Sequence, residues 1–298
     1  SEMCIRDRIN AEGDGFPGLI VDVYASTLVI SVSTAGMEKQ KSLILDALIK
    51  TLRPKNIYEK SEGRSRQLEG LEEIKDFIYG EDKPSSARVK ENGKIFEVDF
   101  ARGQKTGFFL DQRVNREKIG ALSGGASILN CFSYSGAFSV YCAAGGARHV
   151  LSVDVSKSAC FQAEQNLSLN GFSSDNYPVI EADVFDYLRQ LREEFDLIIL
   201  DPPAFAKNKG DVARAARGYK DINLQAIRRL VRGGILASFS CSNHIDEELF
   251  YKIVLGAACD ADAQVQVLTS LQAGQDHPVL LAHPEGSYLK GLLIRKIN

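Results

Sequence analysis

No apolar run in the 298 residues reaches the roughly 18 to 20 that a membrane-crossing helix needs, and the N-terminus lacks the basic and then hydrophobic pattern of a secretory leader. Those absences make the cytoplasm the expected location and leave no membrane partner. None of the six cysteines (Cys4, Cys131, Cys142, Cys160, Cys241 and Cys259) stands in a C-x-x-C pair, so neither a zinc site nor a thioredoxin-like centre is expected and no metal is assigned. Each reads by default as a small, reduced hydrophobe. Internal repeats and low-complexity linkers are also lacking.

With 44% hydrophobic and 25% charged residues, the chain can bury a large core and is long enough for two globular units. A net charge of −3 argues against a nucleic-acid partner only on average. Residues 83–118 carry nine Lys/Arg against five Asp/Glu, and residues 205–232 carry eight against two. Such separation can build a phosphate-attracting face on an acidic protein, although a solvated helix and a basic loop would give the same counts.

Residues 1–8 (SEMCIRDR) show no periodicity that helps the next element, and they are set aside as a leftover preceding the fold. "GLIVDVYASTLVISVS" is two β-rich runs around a polar break, which predicts a hairpin. Met37, Ile44, Leu48 and Leu52 recur near helical spacing before Pro54, a stop signal. A strand at 56–59 and an alternating "KIFEVDF" complete a small α+β domain assigned to residues 9–108.

From about residue 109 the pattern changes to strand, helix, strand, helix, which implies an α/β domain over 109–298 with a mostly parallel sheet covered on both faces. Strands are expected at 127–130, 149–154, 177–181, 197–201 and 235–239, with a final pair near 265–268 and 289–295. In such a sheet ligands bind beyond the carboxyl ends of the strands. After the first strand comes "NCFSYSGAFSVYCAAGGA", a small-residue loop in which Asn130, Phe132, Ser133 and Gly136 are candidates for holding a cofactor. It is a poor G-x-G-x-x-G. Asp154 ends the second strand, where a carboxylate can accept both ribose hydroxyls of an adenosine, and Asp183 in "EADVFDYL" can accept from an adenine amino group. Taken singly, either is equally well a helix cap.

The fourth strand runs into "DPPAFAK". Pro202 and Pro203 fix the backbone, Phe205 offers a face to a flat base, and Asp201 can bond to a ring edge; a rigid turn is the bland alternative. The D-P-P-F step resembles motif IV of class I S-adenosylmethionine methyltransferases that modify nucleic-acid bases. Together with "GDGFPGLIVD", "GQKTGFFLDQRVNR", "RGYKDINLQAIR", "SFSCSNH" and "HPEGSYLKGLL", it resembles the RlmI-like family of ribosomal RNA large-subunit cytosine-C5 methyltransferases, from about Ile9 to the C-terminus. Members of that family usually carry an N-terminal PUA domain, which the matched region does not include.

The resemblance implies a Rossmann-like class I methyltransferase domain, S-adenosylmethionine as methyl donor and 23S ribosomal RNA as partner. It also implies that Cys241, in the S-C-S segment, is a nucleophile for cytosine C6, because C5 is too electron-poor to attack a sulfonium directly. Asp201 then serves the N3 edge and also borders the cofactor, and His244 is a candidate base or thiolate partner. Lys105, Thr106, Gln112 and Arg113 are expected around cofactor and substrate. Arg214, Arg217, Tyr219 and Lys220 are expected to meet phosphates. A guanine-modifying relative would carry an Asn-rich segment in place of Ser-Cys-Ser, a dehydrogenase would need closer glycines in the first loop, and a non-catalytic RNA-binding module would need only the basic windows. A homodimer is admitted by the sequence but not specified by it.

Overall fold

The computed structural model describes residues 5–206 and 208–298, the side chain of Arg6 excepted; residues 1–4 and Lys207, the latter part of the second basic window, lie outside the described residues. The chain forms two compact units: one takes the chain up to Asp111 together with Gly274–Gly286, the other takes Gln112–Ala273 together with Ser287–Asn298. The sequence placed the division at 108/109 and assigned everything after it to the second domain. Residues 274–286 return to the first unit, where His277 Nε2 lies 3.2 Å from Asp7 Oδ2. Nothing periodic in that stretch signals the return.

In the first unit, β1 (Ile5–Asn10), β2 (Leu19–Tyr24), β3 (Thr27–Val32), β4 (Asn56–Ser61) and β5 (Ile74–Tyr79) form a sheet in sequence order. Residues 5–8, set aside on sequence grounds, therefore belong to a strand paired antiparallel with β2, and Ile5 is buried. With only Ile5 and Ile9 apolar in IRDRIN, the segment carries too little hydrophobic alternation to read as a strand. β2 and β3 are the expected hairpin. β3 and β4 are parallel, so the chain must cross over, which it does through α1 (Ala35–Lys39) and α2 (Lys41–Leu52). The hydroxyl of Thr34 caps α1 by accepting from the Met37 amide, and Arg53, in the left-handed region ahead of Pro54, ends α2. Leu48 is buried among Leu19, Val21, Leu28, Ile30, Val32 and Ile57, with Met37, Ile44 and Leu52 packed around them. After α3 (Arg64–Leu68) the unit closes with a hairpin of β6 (Ala87–Glu91) and β7 (Lys94–Val98).

The second unit alternates as predicted: α4 (Arg113–Ala121), β8 (Ser127–Cys131), α5 (Ala137–Ala144), β9 (His149–Asp154), α6 (Lys157–Leu169), β10 (Val179–Glu181), α7 (Val184–Gln190), β11 (Phe195–Leu200), α8 (Val212–Arg228), β12 (Leu230–Ser240), α9 (Glu247–Asp260), β13 (Val265–Leu271) and β14 (Lys290–Lys296). The seven strands order as β10-β9-β8-β11-β12-β14-β13, with β14 antiparallel to both neighbours and the others parallel. Successive side chains of a strand point to opposite faces, and both faces are covered: Ile128, Leu197 and Ile199 enter one core cluster, while Leu129, Ile198 and Leu200 enter the other. Burying each such side chain contributes roughly 1.5 to 3 kcal/mol. Strand order reverses between β8 and β11, which makes their carboxyl ends a topological switch point. Among the described residues no helix is long and apolar enough to cross a membrane.

Candidate active site

At the switch point the chain leaves β8 through a tight loop. Phe132 (φ 58°), Tyr134 (φ 47°) and Gly136 (φ 72°) all occupy the left-handed region, which is costly for the two aromatic residues. Three contacts hold it: the Ser133 amide donates to the Val153 carbonyl (3.1 Å), the Gly136 amide to the Ser133 carbonyl (2.8 Å), and the Tyr134 amide to Asp154 Oδ2 (2.8 Å). A Cβ on Gly136 would lie 2.8 Å from the Cβ of Ala163, so only glycine lets α5 start this close to α6.

Asp154 thus organises the loop as well as ending β9, because its Oδ1 also accepts from the Ser156 amide at 2.9 Å. Each carboxylate oxygen keeps a further lone pair for a hydroxyl donor. Asp183 is exposed and caps α7 through the Asp186 amide (3.1 Å), the capping role that the sequence left open. Asn130 donates to Ser139 Oγ at 2.8 Å, yet its Oδ1 and the buried hydroxyl of Ser133 have no hydrogen-bond partner among the described residues. Buried polar atoms left unmatched at a strained loop suit a polar ligand. The loop and Asp154 fit the amino-acid and ribose ends of S-adenosylmethionine.

The ends of β11 and β12 are stitched together. Cys241 Sγ, half-buried, points to the Pro202 carbonyl at 3.7 Å, and the Ala206 amide donates to Ser242 Oγ at 3.2 Å. Asp201 Oδ1 accepts from Gln112 Nε2 (3.0 Å), whose Oε1 accepts from Asn115 Nδ2 (2.7 Å), which also donates to the Gln272 carbonyl (3.0 Å). This relay fixes the direction of the Asp201 carboxylate. Pro203 is exposed and Pro202 buried. Phe205 is half-buried and already packs on Tyr219 (centroids 4.5 Å apart) and Phe185 (5.7 Å), close against Gly218, so only the remainder of its ring is open to a base.

One of the expected phosphate contacts needs correction. Tyr219 is 0% exposed, and its hydroxyl lies 2.9 Å from Ser242 Oγ, so it supports the Cys241 segment from inside. Helical periodicity explains this, because Ala215, Tyr219, Ile222 and Ala226 share the inner face of α8. Lys220 is engaged by Asp260 of α9 at 2.8 Å, and Arg214 by Asp211 at 2.8 Å. Arg217 and His244 are exposed, and Arg113 is half-buried at the start of α4. Lys105 and Thr106 belong to the first unit: Lys105 Nζ lies 3.3 Å from Asp111 Oδ2 and 4.6 Å from the Phe109 ring centroid, and Thr106 is buried with its hydroxyl 3.0 Å from that of Tyr24.

Sequence reasoning missed Asn115, Ser242 and Lys290. Lys290, a charge opening the apolar run of β14, was the one detectable signal. It is buried, and its ammonium donates to the carbonyls of Ser242 (2.8 Å) and Tyr288 (2.7 Å). Of the other cysteines, Cys131, Cys142 and Cys160 are buried and Cys259 is exposed. Burial pushes the Cys142 thiol up to about 12 and raises that of Cys131 further, so neither is a nucleophile. No group of three or more His, Cys, Asp or Glu suited to a metal ion occurs among the described residues.

The sequence pattern of the S-adenosylmethionine-dependent methyltransferases matches residues 44–276. Proteins named ribosomal RNA large subunit methyltransferase I are similar over nearly the whole chain. That of Aeromonas salmonicida is 46% identical over 289 residues, 96% of this chain and 73% of that protein, and that of Aeromonas hydrophila subsp. hydrophila is 47% identical over 290 residues, with the same shares covered. A solved methyltransferase in complex with SAH superposes with a TM-score of 0.87 at 27% identity, covering 99% of this chain and 76% of that one. The family pattern over residues 44–276 and the similarity to these relatives over nearly the whole chain establish that the chain, with its switch-point loop, its acid at the end of β9 and its D-P-P-F turn beside a thiol, belongs to the RlmI-like family of S-adenosylmethionine-dependent methyltransferases.

Proposed function

We propose that the protein methylates C5 of a cytosine in the 23S ribosomal RNA of the large subunit, through a transient bond between Cys241 and C6 of the base. The observation that carries this reading is the position of the Cys241 thiol, half-buried and 3.7 Å from the Pro202 carbonyl, at the D-P-P-F turn beside the switch point. The relatives' name supplies the substrate class.

S-adenosylmethionine supplies an electrophilic methyl group. The Cys241 thiolate adds to C6, and the electron pair of the C5–C6 double bond becomes available at C5, with negative charge spreading toward N3 and O2. Asp201, held by Gln112, meets the N3 edge in its acid form and donates a proton there as the charge develops, taking it back when the thiolate is expelled. After C5 is alkylated it loses its proton to a base, for which exposed His244 is the candidate. The resulting electron pair restores the double bond and expels the Cys241 thiolate. The target base must be unpaired or flipped, since stacking otherwise covers C6. We assign the first unit to the RNA side, supported by exposed Lys83, Arg88, Lys90 and Arg102 on and around its β6–β7 hairpin. Exposed Arg217 on α8 is a second phosphate contact.

The test is to incubate the protein with labelled S-adenosylmethionine and ribosomal RNA from cells lacking the activity, then map the modified base. The expected product is a 5-methylcytidine that disappears with Cys241→Ala. Undiminished transfer by that variant would rule out covalent catalysis at this position.

A further inference from the structure

Lys290 is 4% exposed at the start of β14, directly opposite Ser240 across the antiparallel pair with β12. A buried ammonium is costly unless it is matched by hydrogen bonds and by charge. Hydrogen bonds are supplied by two backbone carbonyls, those of Ser242 and Tyr288. Charge is not supplied by contact: among the described residues no carboxylate lies within ion-pairing distance of its Nζ. The titratable groups that bear on it electrostatically are Cys241, then Asp246 and Glu247 of the segment leading into α9. Cys241 is the residue next to the Ser242 carbonyl that the ammonium grips.

We propose that Lys290 is a positioning residue for the methyl transfer, its ammonium gripping the strand end behind Cys241 and stabilising the thiolate as the internal counter-ion. The inference rests on the reading of Cys241 as nucleophile. The thiol proton leaves to solvent, the ammonium keeps all three of its own, and the buried site gains the negative charge it lacks. Burial holds the Lys290 ammonium below its ordinary value, and a thiolate at Cys241 offsets that, so each charge favours the other. Asp246 and Glu247, which bear on the same ammonium, compete with the thiolate for it. Tyr219, which faces Cys241 from α8, is held neutral by burial, its pKa raised.

The pH dependence of iodoacetamide alkylation, read site by site from peptide masses, tests this on the intact protein. In the wild type the Cys241 midpoint should lie clearly below the value of about 8.5 for a free cysteine. Lys290→Met should raise that midpoint by about one unit and slow alkylation at pH 7 about tenfold, since the thiolate fraction falls in proportion. Lys290→Arg should restore much of it, a rescue that a purely packing role would not give. Exposed Cys259 is the internal control and should alkylate equally in all three proteins.

Methyl transfer should fall with the thiolate fraction, while affinity for S-adenosylhomocysteine stays unchanged. A wild-type midpoint at or above 8.5 overturns the proposal without any variant, and so does an unmoved midpoint in Lys290→Met. Either result leaves the cytosine-C5 reading standing. Persistent transfer by Cys241→Ala would remove that reading even if the midpoint shifts as expected.

Discussion

Single atoms decide how the two strand ends are held. Ser242 Oγ is placed to receive the Ala206 amide and meet the Tyr219 hydroxyl, so one side chain ties the D-P-P-F turn, α8 and the Cys241 segment together. Ser242→Ala leaves buried polar groups without that partner, which costs about 1 to 3 kcal/mol. The expected result is a lower urea midpoint together with slower methyl transfer. An unchanged midpoint would show that the Ala206 amide and the Tyr219 hydroxyl find other partners. Cys241 itself was legible in the sequence because a thiol among small polar residues at a strand end is unusual. The grip of Lys290 was not, since it depends on β14 returning antiparallel beside β12 from 48 residues away, as its bond to the Ser242 carbonyl records.

At the scale of elements, the loop between β8 and α5 combines two strained aromatic residues with a glycine that nothing else can replace. Gly136→Ala would place a methyl group against Ala163 and force a left-handed alanine, so a loss of about 1 to 3 kcal/mol is expected. Because the same loop carries Ser133 and the amide that Asp154 holds, binding of S-adenosylhomocysteine measured by calorimetry should weaken as well. Unchanged affinity in a folded variant would place the cofactor away from this loop. The basic α8 carries the opposite lesson: its sequence suggests a phosphate-binding run, but with 3.6 residues per turn Tyr219 falls on the core face and Arg217 on the outer one.

For the whole molecule, raised carboxyls in the first unit make stability depend on pH. Burial pushes the Asp22 carboxyl up to about 7, opposed by its hydrogen bond from Thr106, and burial pushes Asp7, opposite it across the β1–β2 pair, up to about 6. A carboxyl raised in the folded state binds a proton that the unfolded chain releases near 4, so stability is greatest below that value and falls as pH rises through 7. His277, also raised, acts in the same direction where it loses its proton. The unfolding midpoint should therefore drop between pH 5 and 8, and Asp22→Asn should flatten that slope. A midpoint that rises over this range would overturn the assignment.

The sequence by itself determined the alternation of strands and helices in the second unit, the hairpin and the helix that follows it in the first, and the loops that leave the strand ends. Those features follow from hydrophobic periodicity and from local stop and turn signals, which are properties of neighbouring residues. Tertiary structure alone decided that residues 274–286 rejoin the first unit, that Ile5–Asn10 completes its sheet, that Tyr219 faces inward beneath Ser242, and that a buried lysine from β14 reaches the Cys241 segment. Each of these depends on which segments meet in space, where pairing register and burial, rather than local preference, set the free energy.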